Sequence, residues 1–318
     1  MDWNIRGINS QLRWDEIRAK ADESNCHVMC LQETKREHFD HSYIRKFCPR
    51  RINQFAYSPS IGNSGGIITL WNGNMFDGTV MHSSKFQLTV QLTCKLSARV
   101  FYITNIYAPT IPDEREIFLN WLHDVDSSLM EFWLLLGDFN LMRSPDNRNL
   151  PGGDINNMLK FNHVIQHHDL EEIPLKGRLF TWSNMQATPL LEKLDWVFTS
   201  PSWTSTFPNT IATPMSNIAS DHVPILISIA SDMPKSQIFR FEEYWMEFEG
   251  LGEVVTLNWQ QAGDAFNSAK DITARMKSLR TGIKRWSRNL SQLNKIITAC
   301  NFVLALIDGL EEQRLLST

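Results

Sequence analysis

The sequence predicts an α/β domain of two packed sheets covered by helices, and three observations carry that reading. Two runs, HVMCLQE at 27–33 and EFWLLLGDFN at 131–140, are too continuously apolar for a half-wetted strand and too short for a helix, so they read as strands buried on both faces. Strand-like and helix-like segments alternate to about residue 135 and strands dominate after it, with no βαβ regularity. A chain of 318 residues with 42% hydrophobic and 21% charged side chains suits one sizeable globular core with an appendage.

The opening MDWNIRG offers few apolar residues before Asn4, so the first strand is expected to be clipped. A helix follows over Gln11–Glu23 with Leu12, Ile17 and Ala21 facing inward, then the HVMCLQ strand, then a short helix over His41–Phe47. GGIITLW, QLTVQL and RVFYITNIY read as closely spaced strands, the middle one alternating apolar and polar side chains as antiparallel strands do. Pro112 at a helix start, with Ile117, Leu119, Leu122 and Val125 behind it, predicts another helix before EFWLLLGDFN. Asp154–His168 reads as a helix, FTWSN and KLDWVFTS as short strands, and VPILISIA closes a domain spanning 1–230.

From 231 to 318 no strand pattern recurs, and the segment reads as helical. Apolar residues from Ala269 through Ile272, Met276, Leu279, Ile283 and Trp286 to Ile307 fall at alternating steps of three and four, a heptad seam. Such a helix needs a partner, either an antiparallel return after Gly282 or near Ala299, or another chain, including a second copy. Its lysines and arginines read first as a solvated face and second as a nucleic-acid contact.

The net charge of −4 argues against a polycation that binds nucleic acid by bulk charge and leaves a local basic groove open. Five cysteines without zinc-type spacing are expected to be reduced thiols. No apolar signal-like start and no membrane-length run is present, so the protein is expected to be soluble and intracellular, and nuclear if it acts on DNA.

Six stretches, DWN, LQET, NIYAP, GDFN, KLDW and SDHVP, set a carboxylate, amide, phenol or imidazole at the edge of an apolar run. A carboxylate at a buried strand end is costly unless a cation or hydrogen bond meets it, so Glu33 and Asp138 together invite a divalent ion. Hydrolysis of a phosphodiester needs charge neutralised on its oxygens and a nucleophilic water, and a hard ion such as Mg²⁺ wants oxygen ligands. Gly137 lets the backbone turn and deliver Asp138, and Asn140 can donate to a phosphate oxygen from the same side. His222, held by Pro224 at a strand entry, suits charge stabilisation or proton transfer, and Asp195 can orient it and raise its pKa. Asn4 and Tyr107 are neutral donors beside them. The bland alternatives are a surface turn at Glu33 and a satisfied structural histidine at His222.

The joint order of these six stretches resembles the endonuclease/exonuclease/phosphatase superfamily over roughly Met1–Ala230. The resemblance implies a four-layer α/β sandwich of two mixed sheets flanked by helices, here followed by an α-helical C-terminal segment. It implies that Asn4 and Glu33 support and ligate Mg²⁺, for which Mn²⁺ can substitute, with Asp221 ordering that end of the site or the ion. Asp138 and Asn140 would activate water or protonate the leaving group and bind phosphate, with the identity of the carboxylate that acts as base left open. Tyr107 would position phosphate, and Asp195 with His222 would stabilise charge or transfer a proton. Within the superfamily, WNIRGINS, GNSGGIITLWN, NIYAPT, GRLFTWSN and FRFEEYW with the basic helix after it look most like the endonuclease domain of plant non-LTR retrotransposons of the long interspersed type, running into the segment before the reverse transcriptase.

That likeness implies duplex DNA as partner, nicked to leave a 3′-hydroxyl, with abasic-site cleavage as a related activity and Thr181 and Trp182 in contact with DNA. It also implies a fragment of a longer reading frame. Two further readings stand beside it: a phosphatase acting on inositol lipids or small phosphates, and a catalytically silent interaction protein.

Overall fold

The structure, a computed structural model, describes residues 1–62, 64–216, 220–229, 241, 243–260, 269–289, 299–304, 306, 307 and 309. They fall into two compact units, the first drawn from Met1–Ser231 and Ala305–Thr318 and the second from Asp232–Leu304. Strands of the first unit are β1 (Asp2–Asn4), β2 (Val28–Gln32), β3 (Gln54–Ser58), β4 (Ile67–Trp71), β5 (Phe76–Ser83), β6 (Gln87–Cys94), β7 (Val100–Tyr107), β8 (Trp133–Asp138), β9 (Glu171–Glu172), β10 (Trp182–Ser183), β11 (Leu191–Glu192), β12 (Asp195–Thr199), β13 (Ile211–Pro214) and β14 (Ile225–Ser228). Its helices are α1 (Gln11–Ser24), α2 (His41–Phe47), α3 (Pro112–Asp124), α4 (Ile155–His167) and α5 (Pro201–Thr206). Ser10, Asp40 and Asp154 cap α1, α2 and α4, each side chain accepting a hydrogen bond from a backbone N–H of the first turn.

One sheet runs β13-β14-β1-β2-β4-β3 and the other β5-β6-β7-β8-β12-β9, with β10-β11 as a separate pair. Each six-stranded sheet holds one parallel pair, β1 with β2 and β7 with β8. Parallel neighbours cannot be joined by a tight turn, so each pair needs a crossover, and α1 and α3 provide it. The sheets are therefore each built around one βαβ unit, contrary to the expectation of none. The periodicity conceals them because four antiparallel strands, β3 to β6, lie between.

Alternation sorts the side chains. Trp3, Met29, Leu31, Ile68 and Leu70 face α1 and α2, and Ile106, Trp133, Leu135, Trp196 and Phe198 join the core beneath α3 and α4. Each such burial is worth about 1.5–3 kcal/mol. The intervening residues of both sheets form a partly polar interior: Gln32 Nε2 donates to Asp2 Oδ1 and Asn105 Oδ1 at 2.6 Å each, and Asn105 Nδ2 donates to the Ile68 carbonyl at 3.0 Å. The result is a helix-sheet-sheet-helix sandwich of four layers.

Several local expectations are corrected. Leu12 and Ile117 are 60% and 61% exposed, because α1 turns Ile17, Lys20 and Ala21 inward and α3 turns Phe118, Leu119 and Leu122. The alternation of β6 does not mark a wet face: Gln87 and Thr89 are buried, and the Thr89 hydroxyl bonds that of Thr104 at 3.0 Å. β3, β5, β9, β11 and β13 are additions to the expected strands, and β5 lacks an apolar signature because it is an edge strand, exposed along most of its length. β1 is short, as expected, yet fully buried between β14 and β2.

In the second unit α6 (Leu251–Gln260) packs on α7 (Ala269–Asn289). No return occurs at Gly282, which lies inside α7 against the Asn258 side chain of α6, so the helix finds its partner upstream. Ile283 is buried there, while Ile272 and Met276 are about half exposed. The seam at 290–298, and with it the approach to Ala299, lies outside the described residues. None of the five cysteines is in a disulfide, and no described helix is long and apolar enough to cross a membrane.

Candidate active site

The topology explains why six distant stretches meet. Asn4, Tyr107 and Asp138 end parallel strands and Glu33 follows one, so the two βαβ units deliver all four to the same edge of the sandwich. β12 runs antiparallel to β8 and β14 antiparallel to β1, so their starts arrive there too, bringing Asp195 and His222. The register sets Tyr107 opposite Asp138 and Asp138 opposite Asp195 in one row. Asn4 then crosses between the sheets, its Nδ2 donating to Asp138 Oδ2 at 2.8 Å.

His222 is the hub. Its Nδ1 lies 2.9 and 3.1 Å from the two Asp195 oxygens and its Nε2 3.8 Å from Asp138 Oδ2. The Trp3 indole donates to the His222 carbonyl at 3.0 Å, and Ser220 Oγ accepts from the His222 N–H at 3.2 Å while donating to the Asn4 carbonyl at 2.8 Å. Around Asp138, Asn140 N donates to Oδ1 at 2.9 Å, and Asn140 Nδ2 donates to the Ala108 carbonyl at 2.8 Å and to Asp138 Oδ2 at 3.2 Å. On the other flank the Tyr107 hydroxyl donates to Glu33 Oε1 at 2.8 Å.

Arg6, Glu33 and Asn140 all adopt left-handed backbone, with φ of 50°, 53° and 48°. Such non-glycine strain costs of order 1–3 kcal/mol per residue and persists only where surroundings hold it. Here they do: Gly7 N donates to the Glu33 carbonyl at 2.7 Å and Arg6 N to Asn4 Oδ1 at 3.1 Å.

Burial pushes the His222 imidazolium pKa down, but the charges of Asp195 and Asp138 and the Asp195 hydrogen bond more than reverse this and raise it to about 9. Burial pushes the Asp138 carboxyl up to about 7, against the pull of His222. Burial, and then the charge of Glu33, keep the Tyr107 phenol protonated as a donor. Behind them Asp2 is raised to about 8, chiefly by burial and then by Asp195. Asp138, Asp195 and His222 offer ligand atoms within 4.8 Å of one another. An imidazolium has no lone pair to give, so this trio suits proton and charge work better than ion binding. Glu33 Oε2, by contrast, is buried with no hydrogen-bond partner among the described residues, and Asp221 stands at the same rim.

Some expected roles change. Asn4 has both ends of its amide engaged, Nδ2 with Asp138 and Oδ1 with Arg6 N, so it braces Asp138. Thr181 has no exposed surface and cannot contact DNA; its hydroxyl accepts from the Leu194 and Asp195 N–H groups at 3.0 Å each, holding the start of β12. Thr181→Val leaves two buried donors unmet, and chemical denaturation is expected to show a loss of about 1–3 kcal/mol for each, wild-type stability being the contrary result. Trp182 is half-buried and donates from Nε1 to Asp221 Oδ2 at 2.8 Å, so it supports that carboxylate. Sequence reasoning missed Ser220, Asp2 and above all Arg6, whose guanidinium meets Asp221 and Glu33. The signal was a basic residue directly before Gly7 in WNIRG.

The chain is 24% identical over 269 residues to the 149 kDa protein of transposon TX1 from Xenopus laevis, an alignment covering 81% of this chain and 20% of that protein. The chain thus spans about a fifth of the length of that relative. Its fold is similar to the AP endonuclease LMAP from Leishmania major, with TM-score 0.57, 16% identity and coverage of 71% of this chain and 85% of that one. It is similar also to the endonuclease domain of TRAS1, a telomere-specific non-LTR retrotransposon, with TM-score 0.56, 12% identity and coverage of 73% and 97%. Residues 3–222 match the profile of the Endonuclease/Exonuclease/phosphatase family, and the chain belongs to that family.

Proposed function

From that membership we propose that the chain is a phosphodiesterase dependent on Mg²⁺ or Mn²⁺ that nicks duplex DNA and leaves a 3′-hydroxyl, as part of a retrotransposon-type endonuclease. The observation that carries this reading is the row Asp138, His222 and Asp195, braced by Asn4 and flanked by Glu33 with Tyr107, at one end of the sandwich.

The donor set fits a hard ion. Glu33 Oε2 is an orphaned buried carboxylate oxygen and Asp221 is a second oxygen donor at the rim, a chemistry that suits Mg²⁺ or Mn²⁺. Glu33 and Asp221 would hold it, and bound there it supplies positive charge against the charge that builds on the phosphodiester oxygens. The imidazolium of His222, fixed by Asp195, stabilises the charge that develops on the phosphodiester. Asp138 ionised takes the proton of the attacking water, with Asn140 and Asn4 aiming its oxygens. Tyr107 would turn its one phenolic hydrogen from Glu33 Oε1 to the phosphate. The water oxygen bonds to phosphorus as the P–O3′ bond breaks, and O3′ takes its proton from the His222 imidazolium, leaving a 3′-hydroxyl and a 5′-phosphate.

Nicking of supercoiled plasmid by residues 1–318 with Mg²⁺ tests the reading, with EDTA and a Glu33→Ala, Asp138→Ala double variant as controls. Metal-dependent nicking that the double variant loses, with ends a polymerase can extend, is the expected result. Phosphate release from inositol phosphates without nicking would favour the phosphatase reading instead, and a folded protein active on neither would favour the silent one. The pH–rate profile should rise through about pH 7 as Asp138 ionises and fall near pH 9 as His222 loses its proton. Asp195→Asn removes a main charge that raises His222, so it should draw the alkaline limb to lower pH; an unmoved limb would count against His222 as the acid of that limb.

A further inference from the structure

We propose that Arg6 is a built-in competitor for the divalent ion, its guanidinium holding the two carboxylates, Glu33 and Asp221, that the ion must take. The inference rests on the reading above, in which those two side chains bind the ion.

Arg6 reaches both groups at once. Its Nη1 pairs with Asp221 Oδ2, and its Nε lies 3.5 Å from Glu33 Oε2, the oxygen left without a hydrogen bond. The carboxylates are largely shielded, with side-chain exposures of 9% for Asp221 and 14% for Glu33, whereas Arg6 is 47% exposed and so has solvent to retreat into. Lys35 Nζ also faces Glu33 Oε2, at 3.7 Å, but among the described residues only Arg6 bridges the two acids. The backbone aims it there, since φ of 50° at Arg6 and the hydrogen bond from Arg6 N to Asn4 Oδ1 turn the chain back over the loop after β2.

Two carboxylates, the Arg6 guanidinium and the Lys35 ammonium beside Glu33 carry no net charge. A divalent ion added beside the retained guanidinium and Lys35 would place four positive charges against two negative ones in a partly desolvated pocket, where like charges repel strongly. Exchange avoids that: the ion takes the oxygens and the guanidinium leaves for the rim, where its planar fork suits a phosphate. The consequence is a protein that binds metal more weakly than its ligand set alone would allow.

Mn²⁺ binding to the full chain, read from the loss of the free-ion paramagnetic resonance signal, tests this without turnover. Arg6→Gln is expected to tighten Mn²⁺ binding about tenfold, the scale of two partly exposed ion pairs removed, and Arg6→Lys, which keeps the charge but not the fork, to fall between it and the wild type. In EDTA, Arg6→Gln should melt below the wild type, and Mn²⁺ should raise its Tm by more. Equal or weaker Mn²⁺ binding by Arg6→Gln overturns the proposal, and should that variant fail to fold, affinity in Arg6→Lys no tighter than wild type does the same. Glu33→Gln separates the premise: if it binds Mn²⁺ as the wild type does, the ion is not held where the reading places it, and if neither wild type nor Arg6→Gln binds Mn²⁺, both ideas fall.

Discussion

His222→Ala is expected to reduce plasmid nicking by about 10²–10⁴-fold, the range for losing a positioned proton-transfer or charge-stabilising group. It should also destabilise the fold by about 3–5 kcal/mol, because Asp138 and Asp195 are 1% and 2% exposed and lose the cation between them. The raised His222 pKa also ties stability to pH. Its contribution is fully present below about 6.5, the ordinary value, and is lost as pH rises through about 9. Thermal unfolding in EDTA should therefore show the wild-type Tm declining across that window and a shallower decline in the variant. His222→Gln keeps most of the volume and a hydrogen-bonding group, and should recover part of the stability and little of the rate. Full activity in either variant would remove His222 from the reaction.

Gly137→Ala is the second large effect expected, and it acts through the backbone. Gly137 has φ of +128°, where L side chains rarely go, and an added Cβ would strike the Ile106 carbonyl oxygen and lie 2.9 Å from Ile106 N on β7. Neither atom can yield without opening the parallel β7–β8 ladder. Strain and overpacking together are expected to cost about 2–5 kcal/mol, read by denaturant unfolding. Asp138 is the next residue, and a displacement of about 1 Å there is enough to lower the nicking rate about 100-fold in the fraction that folds. Near-wild-type stability and activity would show that the ladder gives way at no cost to the site.

Much of this protein is legible in its sequence. The runs VMCLQ and WLLLGD declare buried strands by their apolar continuity, Pro112 and Asp154 mark helix starts, and Gly137 flags the carboxylate beside it, although it lies inside β8 against β7 and makes no turn. The chemical residue types at strand ends are equally plain, because a buried carboxylate needs a reason. Thr181 and Leu12 mislead for a shared cause: pattern tells that a side chain lies on one face, and not what covers that face.

The set of elements and the kind of chemistry held at their ends are thus readable along the chain, since both follow from local apolar periodicity and the cost of burying charge. The tertiary structure alone decided which ends meet. Asn4 reaches Asp138 across 134 residues of chain and Trp3 reaches the His222 carbonyl across 219, while Arg6 finds Asp221 only because β14 lies antiparallel beside β1. Those contacts depend on strand order and register between two sheets, which non-local packing sets and no short window of residues encodes.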